Sequence, residues 1–469
     1  DTGVLRGNYA DYTMTQGAGS VTIARTGETS TFTNVEHYRF ADGVVLTLGA
    51  NGADTFDLSN KTGAITLATG AGNDAIFAGA ALTGADRIDA GAGNNDQVAL
   101  QGDYTGANAL VLQAGTLTNV EVLAALAGGN YDITTNDGAV AAGQVFTVFG
   151  GNLGASDSLT FNGSAETDGS FLFFGGAGTD TLTGGANSDA FFFGPDRFGP
   201  NDTVVGGGGV DQIGFDSFSA PLTLDARVDV EVVALLRGPN GTINTYGAIT
   251  VDDSWVNAGE TKTITAVTSF QDQVGPVLAD LTIDGSGETN GNLRILSGSG
   301  NDTLTGGAGN DIIFGGLGHD TMTGGAGNDT FVFNGAADSA STGFDTILDF
   351  DRASDTIQVN GQTYASFTDQ SGGQLSQGSF DADLSQALGT TLTGTNGVFF
   401  TASSGDYAGQ TFLVVNTDGV DGYQAGSDLV IRTDPGTPVT VEAFGGGNTG
   451  VVTPLVDAAP LDHHQTIIA

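Results

Sequence analysis

Cysteine is absent from the 469 residues, so no disulfide can staple the fold, and something else must do that work in an oxidising compartment. Positive charge is scarce: 12 Lys and Arg face 54 Asp and Glu, a formal charge of −42, with lysine supplied by Lys61 and Lys262 alone. Salt bridges within the chain cannot neutralise most of the carboxylates. Nucleic acid and anionic membranes are excluded as partners by repulsion, whereas cations are favoured. No apolar run approaches the ~18 residues that span a bilayer, so no membrane insertion is expected. Catalytic signatures are missing as well. There is no H-E-x-x-H, no G-x-S-x-G elbow and no G-K-[ST] after a glycine cluster. Nothing among the acids singles out a glycosidase pair. No enzyme is expected.

What the chain does have is glycine, 77 residues or about twice the ordinary share. So acidic a chain would normally be read as disordered, but 39% of residues are apolar and Phe occurs 28 times, enough for a core once the charge is met. The glycines concentrate in GSGNDTLTGGAGNDIIFGGLGHDTMTGGAGNDTFVF, residues 298–333, where Asp302, Asp311, Asp320 and Asp329 stand nine apart. Glycines precede each: Gly298 and Gly300, Gly307 and Gly309, Gly316 and Gly318, Gly325 and Gly327. Such glycines permit backbone angles closed to other residues and let carbonyl oxygens face a common centre. The aspartate adds a hard anionic oxygen, and Ca²⁺ takes six to eight such ligands. Two residues after each aspartate stands an apolar residue, Leu304, Ile313, Met322 or Phe331, which starts a short strand and faces inward. Plain connecting turns do not require a fixed nine-residue step.

Weaker clusters lie upstream. Asp180 and Asp189 are nine apart, as are Asp202 and Asp211, followed by Leu182, Phe191, Val204 and Ile213. Asp54, Asp74, Asp86 and Asp96 are irregularly spaced, followed by Phe56, Ile76, Ile88 and Val98, which predicts fewer complete cages there. A Val-Glu element recurs in TNVEHYRF (33–40), TNVEVLAAL (118–126) and VDVEVVALL (228–236) and reads as strand. Two alternating strands with a turn at Gly17–Gly19 precede the first of these. Residues 237–295 alternate as β throughout, and 362–445 read as β-hairpins. VALL and DLSQALG are the only, short hints of helix.

The G-G-x-G-x-D-x-U-x pattern resembles the repeat of RTX proteins, secreted bacterial calcium binders. The resemblance implies an all-β fold: right-handed parallel β-roll or β-helix calcium coils, two nonamers per turn, combined with antiparallel β segments. It implies multiple Ca²⁺ ions, each between one loop and the loop a full turn later, so that Asp302 shares an ion with Asp320 and Asp311 with Asp329. Ten ions at two charges each would offset 20 of the 42 negative charges. DTILDFDRASDTIQVNG (345–361) resembles the family's capping segment, where Asp345, Asp349, Asp351 and Asp355 either complete final sites or are solvated turn residues. Six segments follow: 1–48, 49–126, 127–236, 237–295, 296–361 and 362–469.

The coils, the Val-Glu strands and the Phe-Leu-Val-Val-Asn … Asp-Leu-Val-Ile segment together look like calcium-dependent surface-layer proteins of Gram-negative bacteria. That likeness implies an extracellular or cell-surface structural protein that folds on calcium after type I secretion, with its signal near Leu461–Ala469 and a homo-oligomer or lattice as its assembled form. Cell-surface polysaccharide is an expected partner. A calcium-dependent adhesin and the noncatalytic tail of a larger secreted enzyme or toxin are the alternatives. The chain opens at Asp1 in mid-pattern, as a processed product or fragment would. His319 reads as a solvated turn residue, His463 and His464 as a poor metal pair, and Trp255 as strand packing rather than a sugar platform beside Asp252 and Asp253.

Overall fold

The structure, a computed structural model, describes residues 2–433 apart from 18–19, 27, 34–36, 42–44, 50–51, 237–242, 271–272, 360–365 and 395. The expected secretion signal at 461–469, with His463 and His464, lies outside the described residues, as does part of the first Val-Glu element. The chain forms two compact units that meet in sequence between Ile213 and Gly214.

In the second unit the nonamers build the coil that their period predicts. Each three- or four-residue strand ends where a glycine turn begins, so successive strands fall in alternate sheets. Thr303–Thr305 pairs in parallel with Thr321–Thr323, and Ile312–Phe314 with Thr330–Phe333; the register joins Leu304 to Met322 and Ile313 to Phe331. Those four side chains are fully buried and form the interior. The same parallel pairing extends to both sides: Thr282–Gly287 pairs with Thr303–Thr305, and Thr330–Phe333 with Thr356–Val359. Residues 243–295 are thus largely further coils of the roll, interrupted by one antiparallel hairpin, Val267–Phe270 with Gln273–Pro276.

The first unit follows the same plan with longer coils. Thr55–Asp57, Ala75–Gly79, Gln97–Leu100, Val122–Ala125, Val145–Phe149, Ser170–Gly175 and Ala190–Phe193 pair in parallel in that order. Register stacks like side chains inward, as where Phe173 lies 4.8 Å from Phe191. Apolar positions after the aspartates are buried in both units, with Phe56 half-buried. Segment boundaries expected at 48/49 and 126/127 fall within runs of paired strands, since Val45–Leu48 pairs with Thr66–Ala68 and Val122–Ala125 with Val145–Phe149.

Antiparallel structure lies near both ends of the described residues. Near the start are three strands where two were expected: Thr13–Gly17, Ser20–Arg25 and Glu28–Thr33. Toward the end, Asn396–Thr401, Thr411–Val415 and Leu429–Thr433 form the expected hairpins. DLSQALG lies in the helix Phe380–Leu388, whose Phe380, Leu384 and Leu388 fall on one face at four-residue steps and pack with Phe400, Phe412 and Val430. VALL is not helical: it lies mostly in the strand Val232–Leu235, where β-branched residues fit the ladder. Trp255 is 2% exposed with the Lys262 ammonium 5.6 Å from its ring centre, so it is packing and presents no face to a sugar.

Candidate metal centre

Each repeat aspartate closes its strand onto the coil before it. Asp302 N–H donates to Asp320 Oδ1 at 2.9 Å and Asp311 N–H to Asp329 Oδ1 at 2.9 Å. The columns continue into the capping segment: Asp320 N–H donates to Asp345 Oδ1 at 2.8 Å, and Asp329 N–H to Asp355 Oδ1 at 3.1 Å. The expected pairs, Asp302 with Asp320 and Asp311 with Asp329, are therefore brought together. Asp345 and Asp355 are buried, not solvated turn residues. Asp349 is exposed and reaches the last repeat turn, accepting from Gly324 N–H and Gly325 N–H, each at 2.8 Å; Asp351 is also exposed.

The glycines make this closeness possible. A Cβ at Gly315 would overlap Asp320 Oδ2, and one at Gly324 would overlap Asp329 Oδ2. Gly298, Gly300, Gly307 and Gly309 place their carbonyls beneath Gly316, Gly318, Gly325 and Gly327 of the following coil. The Gly298 and Gly307 carbonyls also accept the N–H groups of Leu317 and Ala326, at 3.0 Å each.

Upstream the same bond recurs. Asp180 N–H donates to Asp202 Oδ1, and Asp189 N–H to Asp211 Oδ1, both at 2.7 Å. The irregular cluster is joined too: Asp54 N–H to Asp74 Oδ1 at 2.8 Å, Asp74 N–H to Asp96 Oδ1 at 2.6 Å, and Asp96 N–H to Glu121 Oε2 at 2.7 Å. Glu121 belongs to a Val-Glu element and stands immediately before its strand, Val122–Ala125. The recurring Val-Glu was visible in the sequence, but its role at the end of a carboxylate column was not. Buried Asp338, Asp428, Glu166 and Glu288 were missed, because none sits at the sixth position of a nonamer; Asp86, expected in the irregular cluster, is buried but accepts Ile65 N–H at 2.6 Å and stands apart from the Asp54–Glu121 column.

These carboxyls resist ionisation where no cation attends them. Burial, with neighbouring carboxylates adding to it, raises Asp320 and Asp329 to about 7 and Asp345 to about 9. Burial likewise raises Asp96, Asp180 and Asp189 to about 6. Backbone N–H bonds oppose the shift without cancelling it. Buried oxygens are left without a hydrogen-bond donor at Asp74 Oδ2, Asp96 Oδ2, Asp180 Oδ1, Asp320 Oδ2, Asp345 Oδ2 and Glu288 Oε2. An unpaired buried carboxylate oxygen is costly unless a proton or a metal meets it. Hard anionic oxygens of this kind, with backbone carbonyls alongside, fit Ca²⁺. Among the described residues no group of three or more His, Cys, Asp or Glu side chains is placed to hold a metal ion, and the oxygens that stand beside the paired carboxylates are the carbonyls of the glycine turns.

A parallel roll whose turns stack buried carboxylates defines a calcium-binding β-roll. The family model of the RTX calcium-binding nonapeptide repeat matches residues 66–97, 172–197 and 296–331. Three stretches of the chain, one of them covering Asp74, Asp86 and Asp96 of the irregular cluster, are thus RTX repeats, a type typical of secreted bacterial proteins. No curated protein matches the chain. No helix among the described residues is long and apolar enough to cross a membrane.

Proposed function

We propose that the protein is an extracellular structural component of surface-layer or cell-surface matrix type, which folds on Ca²⁺ after type I secretion and then assembles with copies of itself. The observation that carries this reading is the set of buried carboxylate columns in both units, with oxygens left unpartnered and burial pressing the carboxyls toward neutrality. Where free calcium is scarce the carboxylates stay in water and the chain stays open for export. Where calcium is plentiful, binding free energy becomes folding free energy. The absence of cysteine agrees with metal in place of disulfides as the staple. The role is structural rather than catalytic: the buried acids serve coil turns, and Trp255, close in sequence to Asp252 and Asp253, is itself buried.

Circular dichroism and negative-stain microscopy test this together. Expected are a largely unfolded chain in EGTA, β structure in millimolar Ca²⁺, and sheets or filaments on standing in calcium. Full β structure in excess EGTA overturns calcium-driven folding; a calcium-folded chain that stays monomeric at high concentration overturns assembly.

A further inference from the structure

In each unit a turn lacks the aspartate that its column demands, as other column starts do: Leu281 N–H donates to Asp302 Oδ1 at 2.7 Å and Ile65 N–H to Asp86 Oδ1 at 2.6 Å. Eighteen residues before Asp311 stands Leu293, and eighteen before Asp189 stands Phe171. Their backbones behave as the aspartates' do: Leu293 N–H donates to Asp311 Oδ1 at 2.7 Å and Phe171 N–H to Asp189 Oδ1 at 2.5 Å. Both therefore occupy the aspartate's place in the coil but bring no carboxylate.

A glutamate stands five residues earlier in each case. The stretches NGSAETDG (162–169) and DGSGETNG (284–291) place Glu166 and Glu288 at the same point, 288 − 166 = 122 residues apart, as are Asp189 and Asp311. Both glutamates are buried, at 0% and 1% exposed. Their backbones match: Glu166 N–H donates to Gly163 O and Glu288 N–H to Gly285 O, at 2.9 Å each, while their carbonyls accept Ala186 N–H and Ala308 N–H, at 3.0 Å each. Glu288 thus takes the place that Gly307 holds one coil later, where the Gly307 carbonyl accepts Ala326 N–H.

The side chains fold back over the turn. Glu288 Oε1 accepts Asn290 N–H at 2.8 Å and Gly291 N–H at 2.7 Å, which leaves Oε2 buried with no donor. Glu166 Oε1 accepts from Thr167, Asp168 and Gly169 at 3.2, 3.4 and 3.2 Å, and Oε2 from Val140 N–H at 3.1 Å. In each unit one glycine lies between the glutamate and the aspartate. Gly307 N–H donates to Asp311 Oδ2 at 2.5 Å, and a Cβ on Gly307 would stand 2.9 Å from Glu288 Cβ. Gly185 N–H donates to Asp189 Oδ2 at 2.6 Å, and its Cβ would stand 3.4 Å from Glu166 Cβ. Burial is the main cause of the upward shift at Asp311 and Asp189, and the neighbouring glutamate adds to it in both.

We propose that Glu288 with Asp311, and Glu166 with Asp189, each hold a divalent calcium ion at the turn that precedes the nonamers, the glutamate supplying the carboxylate that Leu293 and Phe171 lack. This inference rests on the calcium-folding reading above. Buried Glu288 Oε2, with no donor to meet it, is the ligand atom the site leaves open. The two carboxylates bring the charge of the ion, and carbonyls and water complete a shell of six to eight oxygens. An S-[AG]-E-T-[DN]-G turn is then a starting block for a calcium column, as the Val-Glu element at Glu121 is a terminus for one.

Equilibrium dialysis against Ca²⁺ with the full chain tests it, comparing wild type with Glu288→Gln, Glu166→Gln and the double variant. Glutamine keeps the acceptor that Oε1 presents to the turn but removes the charge. Expected is one ion fewer for each single variant and two fewer for the double, with circular dichroism in calcium close to wild type. Variants that bind as many ions as a calcium-binding wild type overturn this inference and leave calcium-driven folding standing. A wild type that binds none overturns both. Two single variants that stay unfolded at every calcium concentration also overturn it, because that outcome assigns the carboxylates to closing the turn.

Discussion

Between Gly298 and Phe333 the aspartates step by nine, while along the column from Asp54 to Glu121 successive carboxylates lie 20, 22 and 25 residues apart. The bond that joins them is nevertheless the same, a backbone N–H on a carboxylate one coil further on, at 2.6–2.8 Å in the first region and 2.8–2.9 Å in the second from Asp302 to Asp345. Register explains this. Asp54, Asp74, Asp96 and Glu121 each stand immediately before a strand, and those strands pair Thr55 with Ala75, Ala75 with Gln97 and Gln97 with Val122. The ladder holds the carboxylates in line, and the loops on the far side of the coil absorb the extra residues. Strict spacing is sufficient for a column but not necessary.

Withdrawing calcium is the severest way to challenge that equivalence. The amides of Asp302 and Asp74 both donate to buried carboxylates. Hydrogen exchange in calcium is expected to protect both, and exchange in EGTA to release both by several orders of magnitude, as global opening does. An Asp74 amide that stays protected in EGTA while the Asp302 amide exchanges would show that the irregular region folds without metal.

Acidity separates the two regions more finely. An unfolded aspartate titrates near 4. Burial raises the folded values to about 6 at Asp96, about 7 at Asp320 and about 9 at Asp345. A raised carboxyl keeps its proton in the fold longer than in the unfolded chain, so its contribution is fully present below about pH 4 and is lost as pH climbs through the folded value. Residual structure in EGTA is therefore expected to be greatest in acid, to fade by about pH 6 around Asp96, and to fade between about pH 7 and 9 around Asp320 and Asp345. Calcium reverses the trend, because the ion must displace those protons and binds more tightly as pH rises. Melting curves at several pH values, with EGTA and with calcium, read both signs; metal-free stability that increases from pH 4 to pH 8 contradicts the assignment.

Single carboxylates rank next. Asp320→Ala strands the Asp302 N–H and Asp96→Ala strands the Asp74 N–H, each costing about 1–3 kcal/mol of folding stability apart from any lost ion. Denaturant midpoints in saturating calcium measure both. Near-equal losses sharpen the equivalence of the two regions, and a neutral Asp96→Ala breaks it.

The regular region was legible because period, glycine and apolar position agree there: Leu304, Ile313, Met322 and Phe331 all point inward as their place after the turn requires. The inward residues of the irregular region, Ile76, Ile88 and Val98, were legible for the same reason. Its columns were not, since a pairing 20 to 25 residues long has no fixed signature. Glu121 shows the limit plainly. Its Val-Glu neighbourhood marks a strand, but only the register reveals that the carboxylate lands on Asp96. The helix at Phe380–Leu388 left a short trace, while VALL carried the same faint helical hint and became strand because parallel neighbours were available to pair with it.

Backbone substitutions give the smallest and most local contrast. Gly316 has φ 94°, in the left-handed region, and a Cβ there would overlap the Gly298 carbonyl of the coil beneath. Gly52, near the start of the irregular column, has no neighbour within 4 Å of a built Cβ and no left-handed angle. Gly316→Ala is expected to cost about 1–2 kcal/mol, from strain and from pushing two stacked turns apart. Gly52→Ala is expected to be neutral or to stabilise by about 0.4–1 kcal/mol, because alanine narrows the unfolded ensemble without a clash. Thermal melts in calcium decide the sign. If Gly52→Ala destabilises as much as Gly316→Ala, the first turn of the irregular column is closed like those after it, where a Cβ on Gly91 would overlap the Gly70 carbonyl as one on Gly316 would the Gly298 carbonyl.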